Sequence, residues 1–140
     1  MRKEDFVSLD VTRLLKECKM EIPTYFFRAA KDTDNCDIGD LLHKNNKHIQ
    51  YFNKQYLFPA PTLYEVQKLL REQYNIHITI GNSASGYWWE LSKADNGTTI
   101  YDYNYSGPND GGKWDCYEDA LDSAILTVLN SKLIKKTKQK

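Results

Sequence analysis

The sequence predicts an α+β fold: a small antiparallel sheet with helices packed on one face, preceded by an N-terminal helix–strand extension. Three observations carry this expectation. Apolar residues recur every three or four positions in three segments, near 9–19, 62–74 and 116–130, a period that lines up one helical face. Between the last two segments, Ile76, Ile78 and Ile80 alternate with polar residues, and two aromatic-rich runs follow, all reading as strands. At 140 residues the chain has the length of one domain able to bury roughly two thirds of its unfolded surface. Residues 1–140 therefore read as a single α+β domain, with 132–140 a frayed basic tail.

The first helix is expected over 9–19. Ser8 is placed to accept from the open N–H groups of the first turn, and Asp10 complements the helix dipole. Val11, Leu14, Leu15 and Cys18 form its apolar stripe, which makes Cys18 a small buried hydrophobe. Pro23 bars a further turn, and TYFFRAA (24–30) reads as a short strand. The polar, turn-rich stretch 31–57 is long for a loop, so a hairpin partner for 24–30 is expected near Ile49–Phe52.

Pro59 and Pro61 hold the chain extended ahead of Thr62-Leu63-Tyr64-Glu65, a capping box that opens the second helix. Leu63, Val66, Leu69, Leu70 and Tyr74 form its stripe, and Asn75 suits a left-handed stop. Strand 76–80 leads through a turn, GNSASG (81–86), to strands YWWELS (87–92) and TTIYDYN (98–104). A three-residue loop at Asp95-Asn96-Gly97 places Leu91 opposite Tyr101, Trp89 opposite Tyr103 and Tyr87 opposite Tyr105. Trp88 then faces the other way, beside Glu90 and Asp102. A four-residue loop pairs Trp88 with Tyr103 instead. The last helix buries Tyr117, Ala120, Leu121, Ala124, Ile125, Val128 and Leu129.

Composition narrows the functional classes. Nineteen basic and nineteen acidic side chains cancel, whereas proteins that neutralise phosphates carry a basic excess, so nucleic acid is an unlikely partner. The odd set Cys18, Cys36 and Cys116 has no CxxC spacing and fits a reducing compartment. The N-terminus lacks an apolar signal region, and no run approaches the roughly 20 apolar residues of a membrane span. A soluble cytoplasmic protein is expected.

Local signatures of chemistry are absent from the sequence. Asp32, Asp34, Asn35, Asp37 and Asp40 crowd one loop, but Gly39 is displaced from the calcium-loop pattern and no Glu closes it. His43, His48 and His77 show neither i,i+4 pairing nor cysteine partners at zinc spacing. No nucleophile motif occurs, and Gly107-Pro-Asn-Asp-Gly-Gly has the wrong spacing for a phosphate loop. Glu90 and Asp102 can approach across a hairpin, a placement more typical of a solvated face than of a proton-sharing pair. The expectation is a non-enzyme with no catalytic residue, cofactor or metal.

The order helix–strand–strand–strand–helix over 62–130 resembles a double-stranded-RNA-binding domain. That family grips phosphates with a basic cluster at the start of its second helix and a GPxH-like loop. Here the corresponding residues, Lys113-Trp114-Asp115-Cys116-Tyr117-Glu118-Asp119, are mainly acidic, and GNSASG has no histidine. The resemblance is therefore one of topology. PAPTLYEVQKLLREQYNIHI, YWWELS and YEDALDSAI also resemble a family of short uncharacterised proteins of gut Bacteroidetes genomes and their phages, covering 58–130 well and 5–20 weakly. It implies a mobile-element context and no chemistry. Members of that family carry Ser or Thr where Cys116 stands, which leaves Asp115 as the expected cap.

What remains is aromatic: ten Tyr, five Phe and three Trp. Trp88, Tyr101, Tyr103 and Trp114 exceed the evident needs of one small core, so they are the candidate partner-binding residues of a protein-interaction module. The competing reading places most of them in the core with polar tips reaching water. RNA binding through the helix–sheet scaffold and the tail Lys132, Lys135, Lys136, Lys138 and Lys140 is the alternative function.

Overall fold

The computed structural model of the chain describes residues 2–20, 22, 24–29, 41–45, 57–101 and 106–134. The chain forms two compact units, Met1–Thr62 and Leu63–Lys140. Each combines helix with one three-stranded antiparallel sheet, as the predicted α+β class requires.

In the first unit, helix α1 runs Leu9–Glu17 from an N-cap at Ser8, whose hydroxyl accepts from the Val11 N–H at 3.3 Å. Its buried face is Val11, Thr12 and Leu15, whereas Leu14 and Cys18 are only half-buried. The stripe is rotated from the expected one because Thr12 can be buried cheaply: its hydroxyl donates to the Ser8 carbonyl at 2.7 Å. The helix stops short of residue 19. Lys19 adopts a left-handed φ of 56°. Its N–H bonds the Lys16 carbonyl at 3.1 Å, and the Met20 N–H bonds the Leu15 carbonyl at 3.0 Å. These are the two bonds of a Schellman stop.

Strand β1 (Phe26–Ala29) lies between β2 (Leu41–His43) and β3 (Leu57–Pro59), with Phe27 opposite both Leu42 and Pro59. The expected pairing segment, 49–52, lies outside the described residues. Pro59 sits on an edge strand, where its missing N–H breaks no ladder. Arg28 ties the N-terminal segment to this sheet by donating twice to the Val7 carbonyl, at 3.0 and 2.7 Å.

The second unit has the expected order: α2 (Leu63–Gln73), β4 (Ile76–Ser83), β5 (Gly86–Lys93), β6 (Thr99–Tyr101) and α3 (Tyr117–Asn130). Leu63, Val66 and Leu70 of α2 and the six residues Ala120, Leu121, Ala124, Ile125, Val128 and Leu129 of α3 are buried. They face Ile76, Ile78, Trp89 and Leu91, so both helices cover one side of the sheet. Asn75 adopts φ 59° as its stop role requires, and its side-chain oxygen also accepts from the Asp95 N–H at 2.8 Å.

Two expectations are corrected here. β4 does not end at residue 80 but continues through Gly81-Asn82-Ser83, leaving only Ala84-Ser85 as the turn before Gly86, whose φ is 130°. The tail is not frayed from residue 132. The Ser131 hydroxyl accepts from the Leu133 N–H at 3.2 Å, a short helical turn covers 132–134, and Ile134 is fully buried. Residues 135–140 lie outside the described ones.

Candidate interaction surface

Both loop registers are partly met: Leu91 faces Tyr101 as the three-residue loop requires, but Ser92 pairs with Thr99 and the Lys93 N–H donates to the Thr98 carbonyl at 2.8 Å, which makes the loop itself the four residues 94–97, with a bulge between Leu91 and Ser92. Directly opposed residues share a face, so Tyr101 belongs to the helix side of the sheet and, near its edge, is 48% exposed. Tyr103 and Tyr105, with Asp102, lie outside the described residues. The Tyr87 N–H donates to the Trp114 carbonyl at 2.7 Å, and the Trp114 N–H donates to the Tyr87 carbonyl at 2.9 Å.

That exchange decides the role of Trp114. It docks the 106–116 loop on the outer edge of β5, beyond the end of β6, and buries its side chain to 8% exposure. Trp114, expected as a partner contact at the surface, is a core residue. Gly86 makes the approach possible, because its positive φ and the closeness of the Trp114 carbonyl leave no room for a Cβ. The loop is braced by the Gly107 N–H on the Gly112 carbonyl at 2.8 Å and the Asn109 N–H on the Lys113 carbonyl at 2.9 Å.

Trp88 takes the opposite face, away from α2 and α3. Gly81 lies directly across on β4. A Cβ added there would come closer than 3.0 Å to three carbons of the Trp88 six-membered ring. The indole therefore lies over the glycine, covering bare backbone, and remains half-buried. Its neighbours on this face are the pairs Thr79–Glu90 and His77–Ser92, also half-buried. The structure thus separates the four predicted aromatic residues: Trp88 and Tyr101 lie on opposite faces, Trp114 is in the core, and Tyr103 is not described. Gly81, which the sequence placed in a turn, is the missed member of the surface. Its local sequence gave little sign of this, since Ile80 precedes it but Asn82 and Ser83 follow it as turn residues do.

The N-terminus of α3 is acidic, as the sequence indicated. Asp115 and Asp119 are exposed, while Lys113, the one cation of Lys113–Asp119, is buried to 7%. Cys116, not Asp115, occupies the N-cap position, and its side chain makes no cap hydrogen bond. Asp115 instead accepts from the Asn109 side-chain amide. Burial raises the Cys116 thiol pKa, and the Asp119 and Glu118 carboxylates push it further in the same direction. Among the described residues no group of three or more His, Cys, Asp or Glu is arranged to hold a metal ion. No helix among them is long and apolar enough to cross a membrane.

Compared with protein-family models, curated proteins and solved structures, the chain matches none.

Proposed function

We propose that the chain is a small, non-catalytic interaction protein of the cytoplasm that binds a protein partner through the face of its second sheet opposite α2 and α3, with Trp88 as the central contact. The observation that carries this reading is the indole lying over Gly81 on that face. A large aromatic surface held against backbone loses little freedom on binding, which suits it to anchor an interface. The mobile-element context rests on the likeness of PAPTLYEVQKLLREQYNIHI, YWWELS and YEDALDSAI to short proteins of gut Bacteroidetes and their phages, and an accessory or regulatory role fits it.

The test is affinity capture from a native host, followed by purification of the captured protein and direct titration. Trp88→Ala is expected to weaken that complex at least about tenfold, as truncating an interface anchor does, with little change in thermal unfolding. Capture of no partner, or a partner bound equally well by Trp88→Ala, overturns the reading.

Duplex RNA is the rival ligand. Its support is the order α2-β4-β5-β6-α3 with both helices on one face of the sheet. The exposed carboxylates at the start of α3 count against it, since they stand where phosphates would dock. Retention of duplex RNA at about 50 mM salt, lost as salt rises, would favour it over a protein partner.

A further inference from the structure

The first unit contains a groove that the interaction surface does not use. It has a volume of about 640 Å³, within the range of roughly 300–1,000 Å³ typical of small-molecule sites. Leu15 and Met20, both buried, and Ile22 supply one apolar wall. Pro59 and Pro61 supply another, made rigid by their rings. Among the described residues, Lys16 and Lys19 also line it.

Both lysines are placed by specific backbone features. The Lys16 Nζ donates to the Leu57 carbonyl at 3.3 Å and lies 4.5 Å from the centre of the Phe58 ring. Its charge is thereby held against β3, so little side-chain freedom is left to lose when a ligand arrives. Lys19 occupies the left-handed position of the Schellman stop, where glycine fits without strain and any other side chain carries a steric cost. The chain accepts that cost for a side chain that lines the groove. Strained positions of this kind concentrate at binding sites.

We propose that this groove binds an amphipathic anion, a straight-chain carboxylate whose tail lies along Leu15, Met20, Ile22 and the two prolines while its head group meets Lys16 and Lys19. Apolar walls of this size exclude a fully solvated anion as the favoured ligand, and two cations at one groove select against a cationic or neutral amphiphile. Burial lowers the Lys16 pKa. A carboxylate beside it favours the charged ammonium, so affinity should fall as pH rises into the lysine range.

The chain has two methionines, Met1 and Met20, so a methyl-labelled sample gives one resonance inside the groove. Decanoate, kept below its micelle concentration, is expected to shift the Met20 methyl signal saturably, with decanol and decyltrimethylammonium binding more weakly. Lys16→Gln and Lys19→Gly are each expected to weaken decanoate about fivefold, the scale of one solvent-accessible ion pair, and to leave decanol unchanged. Lys19→Gly should at the same time raise the unfolding temperature by relieving the left-handed strain. Loss of affinity together with a gain in stability is a combination that a purely structural lysine does not produce. An unmoved Met20 signal, equal binding of the three amphiphiles, or wild-type decanoate affinity in both variants overturns the proposal.

Discussion

Gly81→Ala tests the contact on which the interaction surface depends. The added methyl would stand within 3.0 Å of three Trp88 ring carbons, whereas carbon atoms pack at about 3.5–4.0 Å. The indole must therefore retreat by roughly 1 Å or leave its rotamer, at an overpacking cost of about 1–3 kcal/mol. Replacing a strand glycine returns about 0.5–1 kcal/mol of backbone entropy. The net expectation is a loss of about 1–2 kcal/mol. In a Trp88→Ala background the obstacle is gone, so the same substitution should stabilise by about 0.5–1 kcal/mol. The change of sign makes the double-mutant cycle decisive, with a coupling of about 1–3 kcal/mol expected. Urea unfolding followed by tryptophan fluorescence reads the correct part of the molecule, since Trp88, Trp89 and Trp114 all lie within the second unit. An equal cost of Gly81→Ala in both backgrounds would refute the stacked geometry and with it the rigid anchor.

Trp114→Ala should cost about 3–5 kcal/mol in the same assay, because it empties a core site and undocks the 106–116 loop from β5; a loss below about 1 kcal/mol would return Trp114 to the surface. Cys116 gives a pH signature. Its thiol pKa is raised in the folded protein by burial, so its contribution to stability is fully present below the ordinary thiol pKa and is lost as pH rises through the folded value. Alkylation near pH 8 should accordingly be slower in the native protein than in urea, where the thiolate forms freely. Equal rates in the two states would count against the shift.

The helical parts were the most legible because their signals are local. The α3 stripe Ala120–Leu129, the Ser8 cap and the Asn75 stop each depend on residues within a turn or two, and the structure reproduces them. Misreadings arose where distant residues decide. GNSASG looks like a turn by composition, yet β4 runs through Ser83 because Trp88 from the next strand needs the flat backbone of Gly81. Trp114 looked like surplus surface because its partner, the Tyr87 backbone, is far away in sequence. The groove beside α1 was illegible for the same reason, since its walls come from segments some forty residues apart. Ile134 is an exception, since the local Ser131 cap that starts another turn and carries it inside was overlooked beside the basic residues that follow.

Ile76-His77-Ile78-Thr79-Ile80 has four β-branched residues in five and no carboxylate, lysine or proline, and β4 is an edge strand of its sheet. Such a segment is a template for cross-β growth when its outer backbone is open. Here Gln67 of α2 donates its side-chain amide to the Ile78 carbonyl at 3.2 Å, and Ile76 and Ile78 are 3% and 2% exposed. An amide from the neighbouring helix thus takes the place an incoming strand would occupy. The helix opened by PTLYE consequently acts as a solubility guard as well as a packing element. Fraying of α2, rather than loss of the sheet, is then the event that would turn this chain toward fibrils.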